Sequence, residues 1–160
     1  MHERIVRKYQ DTILNSINEG VFTVDRNWKI TSFNRAAERI TQVQGSDAIG
    51  QPCCEVFRAN ICENACALNR TLSTGRPMVN VTASIVTKSG DKIPIRLSTA
   101  LLKERDGTIV GGVETFQDLT QIEQLRKELE SRYTFEDIIG RSPVMMNLFQ
   151  IMPQIAESDS

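Results

Sequence analysis

All four cysteines of this chain lie between residues 53 and 66, in the stretch CCEVFRANICENAC. Their spacing is Cys53-Cys54-x7-Cys62-x3-Cys66, and soft thiols this close together suit three kinds of chemistry. An iron–sulfur cluster takes three or four thiolates converging at bonding distance. A thiol switch takes one thiolate of lowered pKa and a neighbour with which it forms a reversible disulfide. A tetrahedral zinc site also takes four ligands, but usually on C-x-x-C-type knuckles, which the adjacent pair Cys53-Cys54 matches poorly. Neighbouring cysteines point different ways in most backbone conformations, so three ligands assemble more easily than four. Cys62 and Cys66, if helical, share one face at i,i+4. Against all three stands plain packing, because a free cysteine behaves as a small buried hydrophobe. Cys53, Cys54, Cys62 and Cys66 are therefore the candidate cofactor-binding and metal-ligating residues.

No other residues form a catalytic constellation. Glu55 and Glu63 flank the cysteines, but without a histidine partner they read as solvated carboxylates. The one histidine, His2, sits at the terminus and reads as solvated, which leaves haem only a cysteine as axial ligand. No nucleophile–base pair, acidic metal cluster or G-x-x-x-x-G-K-[ST] phosphate loop occurs, so no enzyme and no ATP site is expected within these 160 residues.

Composition narrows the class further. With 40% apolar and 24% charged residues, the chain reads as a soluble globular domain with extensions. A formal net charge of -1, with both signs mixed throughout, offers no basic face for direct DNA binding. The charged N-terminus lacks a signal-peptide core and no window resembles a membrane span, so a cytoplasmic location is expected, where thiols stay reduced.

The elements that must position the cysteines follow from periodicity. Ile5, Tyr9, Ile13 and Ile17 recur at four-residue steps and predict an amphipathic helix over residues 1–18. VFTVD and KITSFN predict two short strands around a turn from Asp25 to Trp28, and Asn34 is placed to cap a helix over AAERITQ. A loop-rich region with short helices carries the cysteines, followed by a helix from Ala65 to Leu72 that Ser73-Thr74-Gly75 stops. The period then changes to two. Val79, Val81, Ala83 and Ile85 line one face of a strand, Ile93, Ile95, Leu97 and Thr99 line the next, and IVGGVETF follows Arg105-Asp106-Gly107 as a third. Arg96 falls on the opposite face and reads as exposed. The expected fold is α+β, a five-stranded antiparallel sheet with short helices on one face, flanked by N-terminal and C-terminal helices. The C-terminal helix, QIEQLRKELESRY, carries Ile122, Leu125 and Leu129 at three- and four-residue spacing, with Glu123–Lys127 and Glu128–Arg132 as i,i+4 pairs, and fits either a short coiled coil or a solvated helix.

This order resembles the PAS family of sensory domains, on FNRAAERIT at 33–41, AIG at 48–50, KSGDKIPIRLS at 88–98 and GGVETFQDLTQIEQLRKELE at 111–130. The tail FEDIIGRSPVMMNLFQIMPQIAESDS is similar to the entry segment of the AAA+ domain in sigma-54-dependent transcriptional activators. The resemblance implies an N-terminal helix at 1–18, a PAS domain at 19–118, a signalling linker helix at 119–133 and the start of an AAA+ domain at 134–160. It further implies a homodimer formed through the N-terminal and signalling helices, with ATP and sigma-54 RNA polymerase engaged only by a downstream domain. In that family the segment from Ala48 through Phe57 abuts an internal ligand cavity, which makes the cysteine stretch the expected input site for a redox or small-ligand signal. AIGQPCCEVF is also similar in outline to the flavin-binding photosensor motif, although Pro52 and Glu55-Val56 replace its Asn and Arg-Phe. Flavin, zinc or no cofactor remain alternatives to an iron–sulfur cluster, and a cofactor-free dimerisation module is the competing function. Trp28 and Phe33 read either as cavity contacts or as packing, and Met145-Met146 as part of an apolar stripe.

Overall fold

A computed structural model describes residues 1–132. The expected AAA+ segment, Met145-Met146 included, lies outside the described residues. Helix α1 (His2–Ser16) leads into strands β1 (Gly20–Asp25) and β2 (Ile30–Phe33), then helices α2 (Arg35–Thr41), α3 (Gly45–Ala48), α4 (Cys53–Phe57) and α5 (Ala67–Thr74). Strands β3 (Met78–Val86), β4 (Lys92–Lys103) and β5 (Ile109–Asp118) follow, and then helix α6 (Thr120–Arg132). The chain divides into two compact units, Met1–Thr120 and Gln121–Ser160. Among the described residues no helix is long and apolar enough to cross a membrane.

The sheet is antiparallel, in the order β2-β1-β5-β4-β3. The two early strands add to the free edge of the β3–β4–β5 meander, with β1 pairing β5 from Gly20↔Phe116 to Asp25↔Gly111. Period-two alternation then sends Phe22, Val24, Ile95, Leu97, Thr99, Glu114 and Phe116 to one buried face. The short helices cover that face, and their Ala37, Ile40, Val56, Phe57 and Leu68 complete the core. Gly20 is required at the β1–β5 junction, since a Cβ there would enter the ring of Phe116.

Asn34 does more than cap α2. Its Oδ1 accepts from the N–H groups of Ala37 and Val21, both at 2.9 Å, while its Nδ2 donates to the carbonyls of Leu14 at 2.8 Å and Glu19 at 3.0 Å. One buried amide thus joins α1, β1 and α2 with all of its bonds satisfied. The apolar stripe of α1 meanwhile faces outward, with Tyr9 65% and Ile13 61% exposed.

Three local expectations are corrected. Val79 is exposed rather than buried with Val81, because an extra residue bulges the strand where Asn80 adopts a φ of 55°. The last helix before the meander runs from Ala67 to Thr74 rather than Ala65 to Leu72, and Gly75, with φ 72°, closes it by donating to the carbonyl of Thr71. Along α6 the ion pair found among the described residues is Arg126–Glu130 at 3.7 Å, not Glu123–Lys127 or Glu128–Arg132. Both partners are largely exposed, so that pair contributes little.

Candidate functional site

The cysteines sit in the cover of the sheet, and backbone hydrogen bonds anchor that cover at both ends. Cys53 opens α4, and its N–H donates to the carbonyl of Trp28 at 2.9 Å. Trp28 closes the β1–β2 turn with a φ of 66°, uncommon for a bulky residue. The Asp25 carboxylate holds that turn by accepting from the N–H groups of Asn27 and Lys29. Beyond α4, Ala59 bridges to Ile85, and Asn60 clasps Ser84 through its side chain and its backbone, which pins the segment to β3. Cys62 follows in a turn, its N–H donating to the carbonyl of Ala59, and Cys66 is the N-cap residue of α5. Cys62 and Cys66 are therefore not on one helical face. The chain between them turns before α5 begins, so the i,i+4 relation does not apply.

All four cysteines nevertheless meet at one place. Together with Trp28 and Asn69 they line an open cleft of about 240 Å³. Cys53 is buried, Cys62 and Cys66 are half-buried and Cys54 is exposed, as the divergence of adjacent side chains requires. Beneath the cleft, Cys53, Cys62 and Cys66 also wall a void of about 10 Å³ against Phe22, Phe57 and Glu114. That space holds about one water-sized body, and an isoalloxazine ring does not enter it without displacing the walls. Among the described residues no three His, Cys, Asp or Glu side chains stand together in a way that holds a metal ion. Among these residues, then, no iron–sulfur or zinc site is preformed.

Electrostatics point the same way. Burial pushes the Cys53 thiol up to about 12, with the neighbouring Cys66, Cys62 and Glu114 adding to the effect. Burial likewise raises Cys62 to about 11, against a lowering hydrogen bond with Ala59. Both remain thiols near neutrality and are poor nucleophiles in this conformation. Glu55, Glu63 and Arg96 are exposed, as expected, and His2 lies exposed at the start of α1. Trp28 and Phe33 both pack against the core cluster, and Trp28 also borders the cleft.

The residue that sequence reasoning missed is Glu114. It is only 4% exposed, and its Oε1 is buried without a hydrogen-bond partner. Burial alone raises its carboxyl to about 8. It lies opposite Phe22 on β1 and Thr99 on β4, on the inner face shared with Phe116. The signal was present in GGVETF, because alternation places Gly112, Glu114 and Phe116 on one side. Gly112 contributes as well, since a Cβ there would stand 2.8 Å from Leu68 Cδ1 and force that side chain to shift.

Known proteins agree with this architecture. The PAS domain of a protein from Colwellia psychrerythraea superposes with a TM-score of 0.63 at 15% identity, covering 72% of this chain and 98% of that one. The transcriptional activator RocR of Bacillus subtilis is 26% identical over 144 residues, covering 87% of this chain and 31% of its own length. A probable C4-dicarboxylate sensor kinase of Bacillus subtilis is 30% identical over 140 residues, covering 86% of this chain and 24% of its own length. The chain therefore spans between a quarter and a third of these curated relatives. A family model described as PAS domain matches residues 18–121. Fold, sheet order and family match together place this chain in the PAS domain family, as a signal-sensing module.

Proposed function

We propose that this PAS domain is the input module of a sigma-54-dependent transcriptional activator, and that its signal, a small ligand or a redox change, is read at the cleft lined by Cys53, Cys54, Cys62 and Cys66. The observation that carries this reading is the convergence of all four cysteines and Trp28 on one cleft above an unpartnered buried carboxylate. A cleft of that size with few charged groups suits a small molecule. Of the two kinds of signal the geometry favours the ligand, because the buried thiols are protonated and react slowly with oxidants. The likeness to an activator at 26% identity supports an effector domain of the AAA+ type beyond residue 160, which would carry ATP hydrolysis and the contact with sigma-54 RNA polymerase. Occupation of the cleft would shift the short-helix cover between its anchors on β2 and β3 and so bias the flanking helices.

A second reading, a cofactor-free dimerisation module, has one observation in its favour. The apolar stripe of α1 is exposed, and α6 exposes Ile122, Leu125 and Leu129. Pairing of these stripes across a homodimer is compatible with sensing, and it becomes the sole function only if the cleft is idle. The substitution Cys66→Phe, which fills the cleft, decides between them in the full-length regulator. Transcription that no longer responds to the inducing condition supports the cleft as input, whereas unchanged response refutes it and leaves the dimeriser.

A further inference from the structure

We propose that the void beneath the cysteine cleft is a recognition subsite for the ammonium group of a small organic amine, with Glu114 as its counterion. This inference rests on the reading of the cleft as a ligand site and adds the chemical class of the ligand. Glu114 projects from the sheet into a space otherwise walled by Phe22, Phe57, Leu68, Cys53 and Cys62, none of which carries a positive charge. Its Oε1 has no donor, although a buried carboxylate oxygen left without one is costly and nearly always finds a partner in the folded chain. The titratable groups facing it are the thiols of Cys53 on α4, Cys62 in the following turn and Cys66 at the start of α5. They cannot neutralise it.

A donor that arrives from outside and carries charge would fill that place. A water or a neutral hydroxyl would supply the hydrogen bond but leave the charge unbalanced whenever the carboxyl ionises. An ammonium supplies both the hydrogen bond and the opposite charge. Size agrees, because a void of about 10 Å³ accepts a group as large as water and no larger. Cys53, Cys62 and Cys66 wall both the void and the cleft above it, so an amine whose head reaches Glu114 by displacing these thiols would leave its carbon body in the cleft beside Trp28.

Trp28 is the only tryptophan, so its fluorescence reports on the cleft directly. The test titrates the 160-residue chain with n-butylammonium and with n-butanol of the same length, following Trp28 emission and the thermal midpoint. The expected result is saturable amine binding, about tenfold or more tighter than the alcohol, with the preference lost in Glu114→Gln and partly retained in Glu114→Asp. Equal binding of amine and alcohol, or an amine preference that survives Glu114→Gln, overturns the ammonium subsite while leaving the cleft as a ligand site. Absence of amine binding by both readouts also overturns it, and the Cys66→Phe response of the full-length regulator then judges the cleft independently. The comparison of amine with alcohol on the unmodified chain stands even if a Glu114 variant fails to fold.

Discussion

Replacing Glu114 by Gln should remove the pH dependence of stability that its burial imposes. The carboxyl titrates near 4.5 when exposed and at about 8 in the fold. The folded state therefore holds its proton more tightly than the unfolded chain does. The stability this contributes is complete below about pH 4.5 and is lost as the pH rises through about 8. At 1.36 kcal/mol for each tenfold change, the whole interval corresponds to about 5 kcal/mol, of which about 3 kcal/mol falls between pH 6 and pH 9. Gln has nearly the same shape and no ionisation. Urea denaturation followed by circular dichroism at several pH values across that window should show the native chain losing about 3 kcal/mol relative to Glu114→Gln. The thiols of Cys53 and Cys62 are raised chiefly by burial, which both proteins share, and only in lesser part by the Glu114 charge that the substitution removes. Parallel stability curves for the two proteins would refute the burial of an unpaired carboxylate at this position.

Other outcomes follow from the same geometry. Asn34→Ala leaves four backbone partners of one buried amide unsatisfied and should cost about 2–4 kcal/mol, measured by urea denaturation, with earlier proteolysis near α1. Gly20→Ala drives a methyl into Phe116 and should destabilise the fold by about 2 kcal/mol or more, visible as a lowered thermal midpoint. Under alkylation at mildly alkaline pH, mass spectrometry of the peptides should find Cys54 modified ahead of Cys62, and Cys53 last, following exposure and protonation. Anaerobically purified protein should be colourless with negligible iron and sulfide, since among the described residues no three of the thiols stand in a geometry that holds a metal; a brown chromophore stoichiometric in iron would show that the segment from 58 to 66 rearranges around a cluster.

Much of the fold was legible because it rests on local signals. The amphipathic spacing of α1, the capping side chain at Asn34 and the period-two runs of the meander each depend on a few consecutive residues, and chain order then leaves few ways to complete a sheet. The bulge at Asn80 was not legible, because a single extra residue against β4 flips Val79 without altering the apolar pattern. Nor was the state of the cysteines. Their clustering in sequence already marked the stretch, but whether four thiols converge on one centre depends on the turn between Cys62 and Cys66, which follows the clasp of Asn60 on β3. The chain alone determined a sensory α+β domain and marked the cysteine stretch as the segment to inspect. Only the tertiary structure brought these thiols to the wall of one cleft and left Glu114 beneath them without a hydrogen-bond partner. Burial and hydrogen-bond satisfaction belong to the space between distant segments, and no run of residues encodes them locally.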